Sequence, residues 1–174
     1  MPILVGDSAG ALCCGRKEAV EPRSKFVPRT STFNDRVQSS FAKQTVMHLI
    51  GAELMRVLPG EVEIFLPFRH DLAQQHGFLH AGIITMIMDS ACGYAALSLM
   101  PADASVLTVE FKVNLLSPAK GKRFAARGKV VKPGRTITVC SGDVCSLDFE
   151  EPKLVATMTA TMMTIPGRPG VVEE

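Results

Sequence analysis

No phosphate-cradling P-loop and no His/Cys cluster with metal-ligand spacing occurs in this chain, and its Gly-x-Ser-x-Gly match, Gly6–Gly10, falls in an aperiodic stretch rather than at a strand-to-helix elbow. Serine-hydrolase, nucleotidase and zinc chemistry therefore have little to build on, and no metal is expected. The five cysteines (Cys13, Cys14, Cys92, Cys140 and Cys145) form an odd set without a disulfide framework, so a reducing cytoplasm is the expected compartment. The opening MPILVGDSAGALCC lacks a basic n-region and is interrupted by Asp7, so no signal peptide is expected. A membrane partner is not expected either. The one apolar run long enough to span, Ala81–Met100, carries Asp89 at its centre, at a cost of about 2.5–3.5 kcal/mol on insertion scales. A net charge of +2 gives no broad attraction to nucleic acid. Acids are missing between Phe111 and Gly142, where Lys112, Lys120, Lys122, Arg123, Arg127, Lys129, Lys132 and Arg135 stand. On charge alone this reads as a solvated basic sheet face, with an anion site as the alternative.

What is present is enough for one folded domain: 174 residues, 47% hydrophobic and 21% charged. Residues 1–30 hold Gly, Pro, Ser and charge without periodicity and read as a flexible tail, as does 167–174. The domain is expected over 31–166. Its first helix is expected to start at Thr32, capped by the Thr32/Asp35 pair, and to stop at Gly51. Strands Ala52–Leu58 and Glu61–Pro67 then form a hairpin through Pro59-Gly60. After the apolar helix, Pro101 is a stop and Ser105–Leu116 alternates cleanly: Leu107, Val109, Phe111, Val113 and Leu115 against Thr108, Glu110, Lys112 and Asn114. A second hairpin, 123–132 and 135–147, closes at Pro133-Gly134, and Lys153–Ile165 is the last strand. In that strand Leu154, Ala156, Met158, Ala160 and Met162 are expected inward, with Val155 and the threonines outward. No βαβα alternation exists, so the fold is α+β: one antiparallel sheet wrapped around a long central helix. That helix is apolar nearly all round. One sheet covers half of it, so a second copy of the chain is expected to cover the rest.

The stretch from Gln74 to Met100 concentrates the chemistry. Asp89 is an acid inside an apolar helix, costly to bury unless it is paired or used, and isolated acids of this kind mark perturbed sites. The helix entry holds His76, Gly77, His80 and Gly82. Glycines there allow close backbone approach, and the first N–H groups of a helix are free to hold an anion or oxyanion. Each histidine alone is as readily a solvated loop residue.

Three segments together carry a resemblance: His80-Ala-Gly-Ile-Ile-Thr-Met-Ile-Met-Asp89, the strand Val106–Lys120, and Val131-Lys-Pro-Gly-Arg135. Over about residues 45–165 the chain resembles the hotdog-fold acyl-CoA thioesterases of the phenylacetate-pathway (PaaI-like) type. The resemblance implies hydrolysis of an acyl- or aryl-CoA to free acid and coenzyme A, with no cofactor beyond the coenzyme A of the substrate. It assigns Asp89 the role of base or nucleophile and gives His80 a part in shaping the thioester end of the pocket. It makes the N–H of Ala81 or Gly82 the oxyanion donor and places Thr108 near the attacking water. Gln74 stands where many members have asparagine, and Ala81 replaces the first glycine of a pair. His76, Gly77, Lys132 and Arg135 would contact substrate or coenzyme A. The resemblance further implies a homodimer, or a dimer of dimers, with the site between subunits. Two alternatives stay open: an enoyl-thioester hydratase or dehydratase, and a non-catalytic acyl-CoA-binding or regulatory module.

Overall fold

A computed structural model describes residues 24–167. Its elements are α1 (Phe33–Lys43), α2 (Thr45–Ile50), β1 (Glu53–Leu58), β2 (Glu61–Pro67), α3 (Ala81–Leu97), β3 (Ser105–Leu115), β4 (Arg123–Lys132), β5 (Ile137–Ser146) and β6 (Lys153–Ile165). A single 3₁₀ turn, His70–Leu72, lies between β2 and α3. The six strands form one antiparallel sheet in the order β1-β2-β4-β5-β6-β3. The sheet wraps around α3, which gives the hotdog arrangement expected from the sequence. Among the described residues, no helix is long and apolar enough to cross a membrane.

The helix seats itself through a pair of glycines. Gly128 of β4 lies opposite Gly142 of β5. A Cβ on Gly128 would stand 2.3 Å from the Ala91 carbonyl and 2.4 Å from the Cys92 nitrogen. One on Gly142 would meet the Cys92 Sγ at 2.9 Å. The missing side chains form a trough that lets the α3 backbone touch the sheet, and Ile84, Ile87, Met88, Ala91 and Ala95 fill the space on either side.

Three local expectations change. The first helix breaks at Gln44, and its stripe of Val37 and Phe41 resumes out of phase at Met47 and Ile50. Gly51, at φ 74°, ends the second piece as expected. Thr32 occupies the N-cap position without a side-chain cap, its hydroxyl engaged with Thr30 instead. In β6, Val155 is buried rather than outward, because an irregularity in the β5–β6 register skips it between Leu154 and Ala156.

A fourth change matters most for the site. The β3–β6 register shifts between Thr108 and Glu110, so Val109 is a bulge. Strict alternation would put Thr108 on the outer face with Glu110 and Lys112. The extra residue reverses parity, so Thr108 pairs with buried Met162 and turns toward α3, while Leu107 points outward, 59% exposed. Beyond the bulge, Phe111, Val113 and Leu115 pair with inward-facing Ala160, Met158 and Ala156. They lie at the sheet edge, where α3 no longer covers them, so Phe111 stays 45% exposed and Leu115 56%.

The expected tail over 1–30 lies mostly outside the described residues, as does nearly all of 167–174. Its last part, Ser24–Thr30, rests on the domain. The Ser24 hydroxyl donates to the Pro59 carbonyl at 2.5 Å, and Phe26 packs against the core near Gly60 and Leu99.

Candidate active site

Asp89 sits midway along the one stripe of α3 that the sheet leaves partly uncovered, together with Gly82, Met86 and Gly93. The Thr108 hydroxyl donates to its Oδ1 at 2.8 Å, with the Met162 sulfur 3.4 Å behind that hydroxyl. Burial pushes the Asp89 carboxyl above its usual range by disfavouring the charged form, and the Thr108 hydrogen bond pulls part of the way back. A half-buried acid with raised proton affinity and one positioned donor suits proton transfer. The pair opens into a cavity of about 400 Å³ lined by Ser40, Lys43, Gln44, Ser90, Tyr94 and Ser105, among others.

The helix entry forms a second cavity, of about 370 Å³, at the other end of β3. Gln74, Phe78, Ala81 and Ile84 line it, with Leu115, Leu116 and Val155. The Gln74–Gly77 turn is closed by the Gly77 N–H donating to the Gln74 carbonyl at 2.9 Å, and Gly77 has φ 80°. The Gln74 side chain folds back so that its Oε1 accepts the His76 N–H at 2.7 Å. Its amide nitrogen keeps its donors, with no partner among the described residues. His80 is the N-cap of α3, and its Nδ1 accepts the Gly82 N–H at 2.9 Å. That leaves the Ala81 N–H without an acceptor among the described residues.

Asp89 and Thr108 are thus brought together, and Gln74, Ala81, His80 and Gly82 form a separate group. The two groups are apart. Seven residues separate Gly82 from Asp89, about 10 Å along a helix axis, whereas reacting atoms must approach to about 3–3.5 Å. A single chain cannot apply both groups to one carbonyl. His76 is exposed in the Gln74–Gly77 turn, outside both cavities. Arg135 lines a third, smaller cavity of about 130 Å³ against the C-terminal end of α3, and Lys132 is exposed at a β4 bulge. Neither lines the Asp89 cavity.

Three of the eight basic residues in the acid-free run are paired with acids from outside it. Arg127 and Lys129 pair with Glu61, which Arg56 also contacts at 2.6 Å, and Arg123 pairs with Asp148 at 3.0 Å. This matches a sheet face with cross-strand ion pairs rather than a free cationic patch. Among the described residues, no group of three His, Cys, Asp or Glu could hold a metal.

Sequence reasoning missed Ser40, Lys43, Gln44 and Ser105 in the Asp89 cavity. The phase slip between Phe41 and Met47 was the one available signal, since it marks the break that turns Gln44 inward.

The family model described as the thioesterase superfamily matches residues 76–152, which span the α3 entry, Asp89 and β3 to β5. A solved thioesterase family protein from Silicibacter pomeroyi is 54% identical, covers 78% of this chain and 99% of its own, and superposes with a TM-score of 0.76. The chain belongs to the thioesterase superfamily. Its hotdog fold is shared with the Escherichia coli PaaI protein of the phenylacetic acid degradation operon, at 15% identity and a TM-score of 0.71 over 78% of this chain and 95% of that one. A Saccharolobus solfataricus protein bearing an esterase name is 30% identical over 54% of this chain and 66% of its own length, so this thioesterase-family chain spans about two thirds of that relative.

Proposed function

We propose that this thioesterase-superfamily member hydrolyses acyl- or aryl-CoA thioesters in a site completed by two copies of the chain. The observation that carries the reading is the separation of the two halves of the chemistry to opposite ends of β3. The Asp89 cavity takes Ser105, Val106 and Thr108 from the start of the strand, and the helix-entry cavity takes Leu115 and Leu116 from its end. β3 is the sheet edge, and its inner face, with Phe111 and Leu115, is apolar and exposed. Antiparallel pairing of two β3 edges sets the start of one against the end of the other. Each Asp89 cavity then meets the helix entry of the second copy, and the exposed apolar surface is buried.

In that assembly the Asp89 carboxylate takes a proton from water as the water oxygen bonds to the thioester carbonyl carbon, or it attacks that carbon itself. The second copy's Ala81 N–H, at the positive end of α3, holds the carbonyl oxygen as it becomes an oxyanion, with the Gln74 amide beside it. Collapse breaks the C–S bond and the thiolate takes up a proton; on the direct route this leaves an acyl anhydride on Asp89, which water then hydrolyses to the free acid and the restored carboxylate. Neither step calls for a cofactor. His80 orients the helix start rather than touching substrate. A hydratase that works through a pair of carboxyl groups would need a second one at the β-carbon, and Asp89 is the one carboxyl among the residues that line its cavity.

The test is a panel of acyl- and aryl-CoA thioesters with thiol release as the readout. Turnover of at least one member is expected. No release from any chain length or aryl group would sink the reading, and tight binding of a non-hydrolysable analogue in that case would favour a binding module.

A further inference from the structure

Every described glycine but one has a local reason. Gly51, Gly60, Gly77 and Gly121 take positive φ angles, which other residues adopt at a cost. Gly82, Gly128, Gly134, Gly142 and Gly167 have no room for a side chain, since a Cβ on any of them would come within 3.1 Å of a neighbour. Gly93 has neither reason: it lies within α3 with no positive φ, and a Cβ on it would meet nothing within 4 Å. Glycine loses the most backbone freedom on entering a helix, and alanine, which occupies 91, 95 and 96 of the same helix, is the best helix former. The fold of one chain therefore gains nothing from a bare Cα at this position.

Gly93 stands one turn beyond Asp89 on the same stripe and lines the same cavity. Side chains four apart on a helix are about 5–6 Å from each other. A thioester carbonyl attacked from Asp89, at about 3–3.5 Å, thus brings its substituents over residue 93. The oxygen turns to the second copy's helix entry, which leaves the sulfur and the α-carbon. Ser105 and Val106 of β3 bound the space on one side, and Ser40 and Gln44 close it from α1 and the helix break. A space of about 400 Å³ bounded in this way can enclose an acyl group, whereas coenzyme A is too long to end in it.

Resting on the thioester-hydrolase reading, we infer that Gly93 keeps room for the acyl group beside Asp89 and so admits thioesters that are branched at the α-carbon or carry an aryl ring there. Butyryl and isobutyryl thioesters are isomers that differ in whether the α-carbon is branched, and each is made on coenzyme A and on N-acetylcysteamine. kcat/KM is measured for wild type, Gly93→Ala and Gly93→Val, beside Tm. Wild type is expected to hydrolyse both isomers. Gly93→Ala should lower the isobutyryl-to-butyryl ratio about tenfold on both carriers, and Gly93→Val should lower it further. The Tm of Gly93→Ala should stay the same or rise by about 1–4 °C. An unchanged isomer ratio overturns the inference, whether the variant is slowed equally on all four substrates, as a displaced water would do, or loses only a preference for coenzyme A, as a crowded carrier would. So does a wild type that hydrolyses butyryl and rejects isobutyryl. A lower Tm in Gly93→Ala means that the second copy fills the space, which overturns it too. If wild type hydrolyses none of the four, hydrolysis is judged on the wider panel above, and calorimetry decides Gly93. Its probes are ketone analogues of both coenzyme A thioesters, in which a methylene separates carbonyl from sulfur. Binding of the isobutyryl analogue weakened about tenfold more than that of the butyryl analogue by Gly93→Ala supports the inference; equal weakening, or no binding to wild type, overturns it.

Discussion

Replacing Asp89 with asparagine should abolish hydrolysis and, at the same time, make the protein more stable at neutral pH. Asparagine keeps the shape of the side chain and an oxygen that still accepts the Thr108 hydroxyl, so the 2.8 Å contact survives. What it removes is the ionisable carboxyl, whose proton affinity burial raises above the ordinary value of 3.8. The folded protein therefore holds this proton more tightly than the unfolded chain. Stability contributed by the group is full below pH 3.8, falls as pH rises through the raised folded value, and stays at its lowest from there upward. The advantage of Asp89→Asn over wild type should accordingly be absent in acid and fully developed at neutral pH. A tenfold change in proton affinity is worth about 1.4 kcal/mol. Water still reaches much of the carboxyl and screens that figure, so the gain is below about 1 kcal/mol, or up to about 2–4 °C in Tm for a chain of this size. Thermal unfolding of both proteins from pH 3 to 8, beside thiol-release assays on one active substrate, checks both halves. A variant that keeps full activity refutes the role of Asp89. A variant less stable than wild type at pH 7 refutes the burial argument.

Thr108→Val removes the donor that offsets burial, so the acid limb of the kcat/KM profile should move to higher pH; an unmoved limb would mean that the hydroxyl does not tune Asp89. Gly128→Ala drives a methyl group into the α3 backbone and should destabilise by about 1–3 kcal/mol or more, read from the denaturant midpoint. Equal stability would show that the helix can lift from the trough without penalty. Phe111→Lys places a charge on the apolar β3 edge and should convert a dimer to a folded monomer without hydrolytic activity, followed by light scattering and circular dichroism. A fully active monomer would remove the two-copy site.

Hydrophobic periodicity was enough to read most of the architecture. β2 runs Glu61–Pro67 and β6 runs Lys153–Ile165, as their alternation indicates, and the two Pro-Gly turns lie between strands. These features depend on near neighbours in the chain, and near neighbours can be read directly. The acid on the apolar helix was legible for the same reason, because its cost does not depend on what surrounds the helix in detail. The break at Gln44 left only the phase slip between Phe41 and Met47 as a trace, since both helical pieces have ordinary helix-forming sequences. Likewise, the ion pairs of Arg127 with Glu61 join residues far apart in the chain, so a charge count over one window could not find them.

The sequence by itself determined that one antiparallel sheet would hold one apolar helix, and that the helix would carry Asp89 behind a histidine-glycine entry. Only the tertiary structure decided that Thr108 is the partner of Asp89. A perfect period of two points that hydroxyl away from the helix, and the bulge at Val109 reverses it. Nothing local to 105–115 announces the extra residue. It shows only in how β3 pairs with β6 on either side of Val109, and that pairing is set by packing across the domain.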